Sequence, residues 1–384
     1  MKSYFCIIFC FVLFSCQNRV AETPNRRDAQ SGVSAERPSD SIVYAQGFQI
    51  ETHPAYILLT VRNPWDIRSV LQRYVLVPKN AALPDSLPEG VLIRTPLERT
   101  ISSGSVQCGF FAEFDALSTL VGVCEPQYIQ ISSIQEGIRK GNIADVGRAA
   151  DPDIEKIMLA GPDAIFIAPI DGVGYGQIDR LNIPLIECVD YMEASPLGRA
   201  EWIRFLALFF DKQMQADSLF RETVDRYNNL KARTTNVSDR PSLLAETVYN
   251  GVWYLPGGDS YMAHLYHDAG AHYLWEDDNH TGSLSLSFES VLLKAEKARI
   301  WLLKYNSPHR MTYDELEQEY RNYNCFEAFK NRNIFSCNTG KVTYYEELPI
   351  HPDYVLKDLV WIFHPELLPD YQPKYFERMQ DTDF

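Results

Sequence analysis

A helix, a turn and a strand occur twice in this sequence, and that repetition limits the folds that the chain can adopt. The first copy lies within residues 145–169, and the second begins at Ser287. Glu155 aligns with Glu289 at an offset of 134 residues, and the apolar positions that follow them also align. Because self-similarity at a fixed offset indicates a repeated supersecondary unit, the repeat predicts two similar lobes.

Short apolar strands alternate with helical segments in both halves of the chain. Residues 164–168 are entirely apolar, as in strands that are buried on both faces of a parallel sheet. This alternation predicts βα units and mostly parallel sheets. Residues 42–95 differ, because their short β-rich runs are divided by prolines and predict hairpins at the front of the first lobe.

One long amphipathic segment, residues 211–233, lies between the two copies and is called the spine helix below. Its apolar side chains recur at spacings of three and four, which forms one stripe along a helix; they are Ala216, Phe220, Val224, Tyr227 and Leu230. Asp211 can cap the first turn. At ~1.5 Å per residue the helix would be about 33 Å long, so it could connect two lobes.

These features predict an α/β fold of two Rossmann-like lobes joined by a single long spine helix, with an N-terminal β-rich addition. A single large doubly wound sheet is the alternative. The predicted parts are a lipoprotein signal peptide at 1–15, a flexible tether at 16–41, the first lobe at 42–210, the spine helix at 211–233 and the second lobe at 234–384.

The first residues predict the cellular compartment. Lys2 precedes an apolar run, residues 4–14, which is too short for a bilayer core of about 30 Å and has the size of a signal-peptide core. The run leads into Leu-Phe-Ser-Cys, which resembles a bacterial lipobox and implies cleavage before Cys16 and acylation of its thiol. A plain secretory signal with a chance cysteine is the alternative. We expect a lipid-anchored protein of the periplasm or cell envelope that meets the membrane only through this anchor.

Charge and cysteine content argue against two classes of function. The formal net charge of -15 argues against nucleic acid or an anionic membrane surface as partner, since both bind a basic face. Beyond Cys16 five cysteines remain, and the absence of a Cys-x-x-Cys pair argues against a cysteine-bound metal cluster. Cys325 with Cys337, or Cys108 with Cys124, could close a disulfide loop, and their spacing leaves the pairing open.

Several short motifs follow one another in a characteristic order from residue 97 to about residue 370. They are RTISS at 99–103, LVGV at 120–123, DVG at 145–147, DIE at 153–155, PDAI at 162–165, YLPGG at 254–258, AG at 269–270, SFE at 287–289, HPDYVLKDL at 351–359 and HPE at 364–366. In this order and spacing the chain resembles the class III, or helical-backbone, periplasmic substrate-binding proteins of ABC importers. Those proteins serve iron chelates, haem and cobalamin, and the β-rich residues before Arg99 depart from their compact pattern.

The resemblance implies a binding protein without enzymatic activity or a cofactor of its own. Its ligand would be a metal chelate, a ferric siderophore or haem, with cobalamin as the alternative. Its protein partner would be the permease of an ABC importer, and the chain itself is expected to be a monomer.

In two-lobed binders the ligand lies between the lobes, where loops leave the strand ends. Aromatic faces and a few cations suit a bulky chelate. The candidates are Tyr128, Arg148 and Tyr175 on the first lobe, and Tyr249, Trp253, Tyr254 and His280 on the second. Each could instead be an ordinary core or surface residue. Arg148 is the preferred contact, because its guanidinium could bind a ligand carboxylate through two hydrogen bonds.

Glu155 and Glu289 occupy equivalent early turns of the two repeated helices. The family resemblance implies that they dock onto arginines of the permease. The alternative is local, because a glutamate near a helix N-terminus is stabilised by the helix dipole. The repetition of the glutamate in both copies favours docking.

Four histidines lie close together in the sequence: His264, His267, His272 and His280. His264 and His267 could share a helix face as zinc ligands, although no His-Glu-x-x-His motif is present. Neither a Gly-x-Ser-x-Gly motif nor a Walker A loop occurs in the sequence. A zinc-dependent surface hydrolase that uses these histidines is therefore the remote alternative, and we predict no metal site and no catalytic residues.

Overall fold

The computed structural model describes residues 41–66 and 68–381. The predicted signal peptide, Cys16 and nearly all of the predicted tether lie outside the described residues. Within the described residues, no helix combines the length and the apolar character that crossing a membrane would need.

A four-stranded sheet precedes the first lobe. Elements are numbered in chain order, and its strands are β1 (Phe48–Thr52), β2 (Ile57–Arg62), β3 (Val70–Pro78) and β4 (Val91–Thr95). The first three strands form the predicted antiparallel hairpins, but β4 runs parallel to β3. Phe48 packs against Trp202 with ring centroids 5.0 Å apart, and the Tyr74 hydroxyl donates to the Leu185 carbonyl at 3.0 Å. These contacts join the added sheet to the first lobe.

Five strands form the sheet of the first lobe, and every neighbouring pair is parallel. In order across the sheet they are β11 (Leu185–Glu187), β10 (Ala164–Ile167), β5 (Thr100–Ser102), β6 (Leu120–Val123) and β7 (Ala144–Asp145). A short antiparallel pair, β8 (Gly147–Arg148) and β9 (Asp151–Pro152), follows β7.

Five other strands form the sheet of the second lobe. In order they are β15 (His272–Tyr273), β12 (Ser242–Ala245), β17 (Ile300–Tyr305), β18 (Ile334–Asn338) and β19 (Glu377–Arg378). All pairs are parallel except β18 with β19. A separate antiparallel sheet contains β13 (Val248–Tyr249), β14 (Val252–Pro256) and β16 (Ser283–Leu286).

The two parallel sheets repeat one strand order. The run β6, β5, β10 and β11 in the first lobe corresponds to β15, β12, β17 and β18 in the second. Because these strands form two separate sheets, the two-lobed α/β fold is confirmed, and the alternative of one large doubly wound sheet is wrong.

Helices surround both sheets. Those of the first lobe are α1 (Ser105–Glu113), α2 (Ser132–Arg139) and α3 (Ile154–Ala160), and those between the lobes are α4 (Pro196–Ala207) and α5 (Gln213–Thr234). Those of the second lobe are α6 (Tyr261–Asp268), α7 (Phe288–Ala295), α8 (Tyr313–Glu319), α9 (Glu327–Lys330), α10 (Tyr344–Glu347) and α11 (Pro352–Phe363).

Helix α5 is the predicted spine helix, and its apolar stripe divides between two hydrophobic cores. Ala216 and Phe220 pack in the core of the first lobe, whereas Tyr227 packs in the core of the second. Val224 contacts both cores. The N-terminal boundary differs from the prediction, because Asp211 adopts a left-handed conformation (φ 57°) that ends the preceding turn rather than capping α5.

Two other local expectations are corrected. Asp153, not Asp151, caps α3, since its carboxylate accepts from the backbone N–H of Lys156 at 3.0 Å, and Asp151 lies in β9. Neither possible disulfide forms, because all five described cysteines are free thiols.

Candidate functional site

A cleft lies where the carboxyl ends of the two parallel sheets face each other. Two cavities of about 660 and 650 Å³ form its halves, and both are lined by Tyr191 and Tyr345. The first-lobe half includes Ser103 after β5 and Cys124 after β6. The second-lobe half includes Glu246 after β12 and Lys304 near the end of β17. Loops after parallel strands are the usual position of ligand sites in α/β sheets, so this cleft is the candidate binding site.

Eight aromatic side chains of the described residues line the two halves. They are Trp65, Tyr128, Tyr191, Tyr249, Tyr254, Tyr261, Tyr344 and Tyr345. Tyr128 and Tyr249 are 55% and 69% exposed, so their rings are free to contact a ligand. Trp65 comes from the loop between β2 and β3, which means that the added sheet contributes directly to one wall of the cleft. Tyrosines offer a large apolar face together with a hydroxyl that can hydrogen-bond.

Lys304 is the only cation in the lining of the second-lobe half among the residues described. Its ammonium group contacts the carboxylate of Glu246 and lies 5.9 Å from the ring centroid of Tyr344. Burial acts to lower the pKa of Lys304, but Glu246 and the neighbouring tyrosines outweigh burial and raise that pKa well above its ordinary value. The ammonium group therefore stays charged and paired.

Arg199 lines the first-lobe half and is also paired. Its Nε donates to the Asp190 carboxylate at 2.9 Å, and both side chains are buried. The guanidinium lies over the Tyr261 ring, 4.5 Å from its centroid. Since Arg199 belongs to α4 and Tyr261 begins α6, this contact links the connecting helix to the second lobe at the base of the cleft.

Two further carboxylates line the first-lobe half without a cation beside them. Glu125 follows β6 and Asp171 follows β10, and neither has an ion-pair partner among residues 41–66 and 68–381. Burial and the carboxylates of Asp190 and Asp171 raise the pKa of Tyr191 to about 12. The Tyr191 hydroxyl therefore remains protonated at physiological pH.

The structure brings three of the seven predicted ligand residues into the cleft, namely Tyr128, Tyr249 and Tyr254. Trp253 does not line it, so that prediction is corrected. Trp253 is fully buried, its indole N–H donates to the Ala245 carbonyl at 2.9 Å, and its ring packs against Trp301. Successive side chains of a β-strand point to opposite faces of the sheet, so Trp253 points into the core and Tyr254 toward the cleft.

The other three predicted contacts also lie outside the lining. Arg148 is exposed in β8 and touches neither cavity. The Tyr175 hydroxyl donates to Glu187 at 3.0 Å, and the His280 ring lies 3.0 Å from the Asp278 carboxylate. The expected contact between Arg148 and a ligand carboxylate therefore has no support in this geometry.

Several residues that line the cleft were not predicted from the sequence, namely Trp65, Tyr191, Arg199, Tyr261, Lys304, Tyr344 and Tyr345. The sequence did contain an indication for Lys304, because a charged residue directly after the apolar residues of β17 lies near the carboxyl end of that strand, where ligand sites form. Trp65 carried no such signal, because its place depends on how the added sheet packs onto the first lobe.

The two predicted docking residues lie on the outside of equivalent helices. Glu155 and Glu289 are exposed in the first turns of α3 and α7. One turn further, Leu159 and Leu293 are 89% and 90% exposed, and they too are separated by 134 residues. Each lobe thus presents a glutamate and a leucine four residues apart, on one helix face.

The four clustered histidines do not form a shared site. His264 contacts the Ala194 carbonyl at 2.6 Å, and His272 lies 3.0 Å from Glu276. Among the residues that the structure describes, no group of three or more His, Cys, Asp or Glu side chains is arranged to hold a metal ion. The geometry therefore gives no support to the zinc hydrolase alternative.

Residues 125–339, more than half of the chain, match the family model described as "Periplasmic binding protein". The chain belongs to the periplasmic binding protein family. Its members are the substrate-binding components of ABC transporters and are not enzymes. An uncharacterized lipoprotein of Methanocaldococcus jannaschii is 26% identical over 321 residues, which cover 79% of this chain and 75% of that protein.

Solved structures of periplasmic binding proteins share the fold. The molybdate periplasmic binding protein of a Haemophilus influenzae ABC transporter superposes with a TM-score of 0.59 at 19% identity, covering 74% of this chain and 91% of that one. A periplasmic heme binding protein from Pseudomonas aeruginosa gives a TM-score of 0.57 at 16% identity, covering 74% of this chain and 98% of that one. At these identities the likeness concerns the two-lobed fold of the family.

Proposed function

We propose that this periplasmic binding protein is a lipid-anchored component of an ABC importer and binds a metal chelate, a ferric siderophore or haem, between its lobes. The observation that carries the proposal is the aromatic cleft at the carboxyl ends of the two sheets, whose halves meet at Tyr191 and Tyr345. The lipid anchor would be Cys16, and the lipoprotein relative supports that part of the proposal.

The size and lining of the cleft favour a bulky ligand. Each half alone has the volume of a small-molecule site, about 300 to 1,000 Å³, so a ligand that contacts both halves is larger than an ordinary metabolite. Exposed tyrosine rings provide flat apolar surface for a porphyrin or for the organic shell of a siderophore. Among the structural neighbours, one is named as a heme binding protein and another as part of an Fe3+-hydroxamate transport system.

Cobalamin is the second candidate, and the exposed tyrosines Tyr128 and Tyr249 favour it, since each offers a flat ring and a hydroxyl. A corrin ring is also flat, and its periphery carries amide groups that accept hydrogen bonds from neutral hydroxyls. Both candidates place the ligand in the same cleft.

Native mass spectrometry of the purified chain with haem, cobalamin and a set of ferric siderophores tests the proposal. We expect one-to-one binding of one chelate class, and we expect Tyr128→Ala together with Tyr254→Ala to weaken that binding. Tyr56→Ala is the matched control, because Tyr56 stacks on His53 in the added sheet and lines neither cavity. Stoichiometric zinc without any bound chelate would contradict the proposal.

Delivery of the chelate would involve the permease. We propose that Glu155 and Glu289, one on each lobe, pair with arginines of the permease, as the family resemblance implies. Their equivalent, exposed positions on α3 and α7 support this role. Exposed ion pairs contribute little energy individually, but they steer the encounter and set the orientation of the partners.

A further inference from the structure

The described residues contribute two cations to the lining of the cleft, and both already have carboxylate partners. Lys304 contacts Glu246, and Arg199 donates to Asp190 at 2.9 Å. Lys304 and Arg199 are also largely withdrawn from solvent, with side chains 15% and 7% exposed. A ligand carboxylate would have to share either cation with the protein carboxylate that already neutralises it, so neither cation provides an unpaired positive charge that would attract an anionic ligand.

The unpaired charges of the lining are acidic. Glu125 and Asp171 lie in the first-lobe half, and no cation of the described part of the chain lies within ion-pair distance of either. With Asp190 and Glu246 included, the part of the chain that the structure describes contributes four carboxylates and two cations to the lining. The low-dielectric walls of a cleft concentrate the electrostatic field of such charges. The excess of negative charge would therefore attract a cationic ligand and repel an anionic one.

The remaining polar groups of the lining are largely neutral hydroxyls. Burial and nearby carboxylates raise the pKa of Tyr191 to about 12, and its neutral hydroxyl donates to the Pro169 carbonyl. Burial also raises the pKa of Tyr345, which the two halves share with Tyr191. Protonated hydroxyls can donate to uncharged amide or hydroxamate oxygens, and they supply no positive charge for a carboxylate.

We propose that the cleft is selective for metal chelates whose outer surface is neutral or cationic and that it discriminates against chelates with free carboxylates. This inference rests on the proposed function and narrows its ligand class. Unmodified haem, with two propionates, is a poorer ligand under this inference than an uncharged porphyrin or a hydroxamate chelate.

Two sets of matched ligands test the charge preference. The first is the ferric complex of one linear trihydroxamate with a terminal amine, used as the free amine, the acetylated amide and the succinylated acid. The second is haem beside its dimethyl ester. We expect the succinylated complex to bind about tenfold more weakly than the free amine at low salt. The gap should narrow as ionic strength rises, because salt screens exposed charges.

Substitutions in the cleft test whether its unpaired carboxylates cause the charge preference. Glu125→Gln combined with Asp171→Asn removes both unpaired carboxylates with little change in shape, and it should reduce the tenfold gap to about threefold or less. Glu89→Gln is the matched control, because Glu89 is exposed between β3 and β4 and lines neither cavity. The control should keep the full gap.

The outcomes separate this inference from the proposed function. If chelates bind but the succinylated acid binds as tightly as the free amine, or the ester no better than haem, the charge preference is wrong and the chelate proposal stands. If no member of either set binds, this inference is overturned, and the chelate proposal falls with it when the wider mass-spectrometry panel also shows no binding. A gap that persists unchanged in the double variant would also contradict the inference, because the carboxylates named here would not cause it.

Discussion

Trp65 is the residue through which the added sheet reaches the cleft. The Asn63 side-chain oxygen accepts from the backbone N–H of Trp65 at 2.9 Å and of Asp66 at 3.2 Å, so the loop that presents the indole is ordered by its own turn. The ring is half-buried at the edge of the first-lobe half. The added sheet therefore has a functional interpretation as one wall of the binding site.

Trp65→Ala should weaken chelate binding about threefold to tenfold, which corresponds to about 0.6 to 1.4 kcal/mol for the loss of one aromatic face. Isothermal titration calorimetry with the chelate identified by mass spectrometry measures the change. Trp65→Phe should restore most of the affinity, and Tyr56→Ala should leave it unchanged. Equal affinities of Trp65→Ala and the parent chain, with unchanged thermal stability, would show that the indole does not contact the ligand.

The neighbours Trp253 and Tyr254 show what sequence could and could not predict about the site. Their aromatic character indicated a ligand surface, but only one of two successive strand residues can point to each face. The sequence did not indicate which of the two turns into the core, where Trp253 meets Trp301. Arg199 was missed for a related reason, because its role depends on contact with Asp190 and Tyr261, which belong to other elements.

At the scale of elements, the repeat was the most reliable signal. It predicted the equivalent helices α3 and α7, and these begin at Ile154 and Phe288, 134 residues apart. Boundaries were less predictable, because caps depend on local geometry that several nearby residues could provide. Asp151 and Asp153 both have side chains that can cap a helix. Because Asp151 pairs with Arg148 between β9 and β8, Asp153 is the residue that caps α3.

The repeated helices α3 and α7 also carry the docking prediction. Glu155→Ala with Glu289→Ala should abolish uptake of the chelate by cells that produce the permease, while binding in solution remains unchanged. Leu159→Ser with Leu293→Ser should lower uptake too, because apolar side chains 89% and 90% exposed on the same helix faces are suited to burial against a partner.

Exposed residues of the added sheet provide controls for docking. Glu89→Ala with Leu83→Ser changes one charge and one exposed leucine in the connection between β3 and β4, which is not part of either repeated helix. These variants should leave uptake normal. Weakened chelate binding with normal uptake in the Glu155 and Glu289 variants would reverse the assignment.

At the scale of the whole molecule, the lobes are joined by more than the spine helix. Helix α4 is buried along its whole length, and α11 contacts α5 through Arg226, whose Nε donates to Asp353 at 2.6 Å. At the end of α1, Glu113 lies 3.1 Å from His351, which directly precedes α11. Such packed connections resist the rotation of one lobe against the other, whereas a flexible hinge would permit it.

We therefore expect only a small movement of the lobes when the chelate binds. Spin labels on Leu159→Cys and Leu293→Cys place one probe on each lobe, and pulsed dipolar spectroscopy measures their separation with and without ligand. Cys325→Ser in the same background removes the described cysteine that is not buried. The distance distribution should stay narrow and shift by a few ångström at most, because α4 and α5 connect the two lobes and resist their rotation against each other. A broad distribution in the free protein, or a large shift on binding, would mean that these helices bend and that the cleft closes by domain rotation.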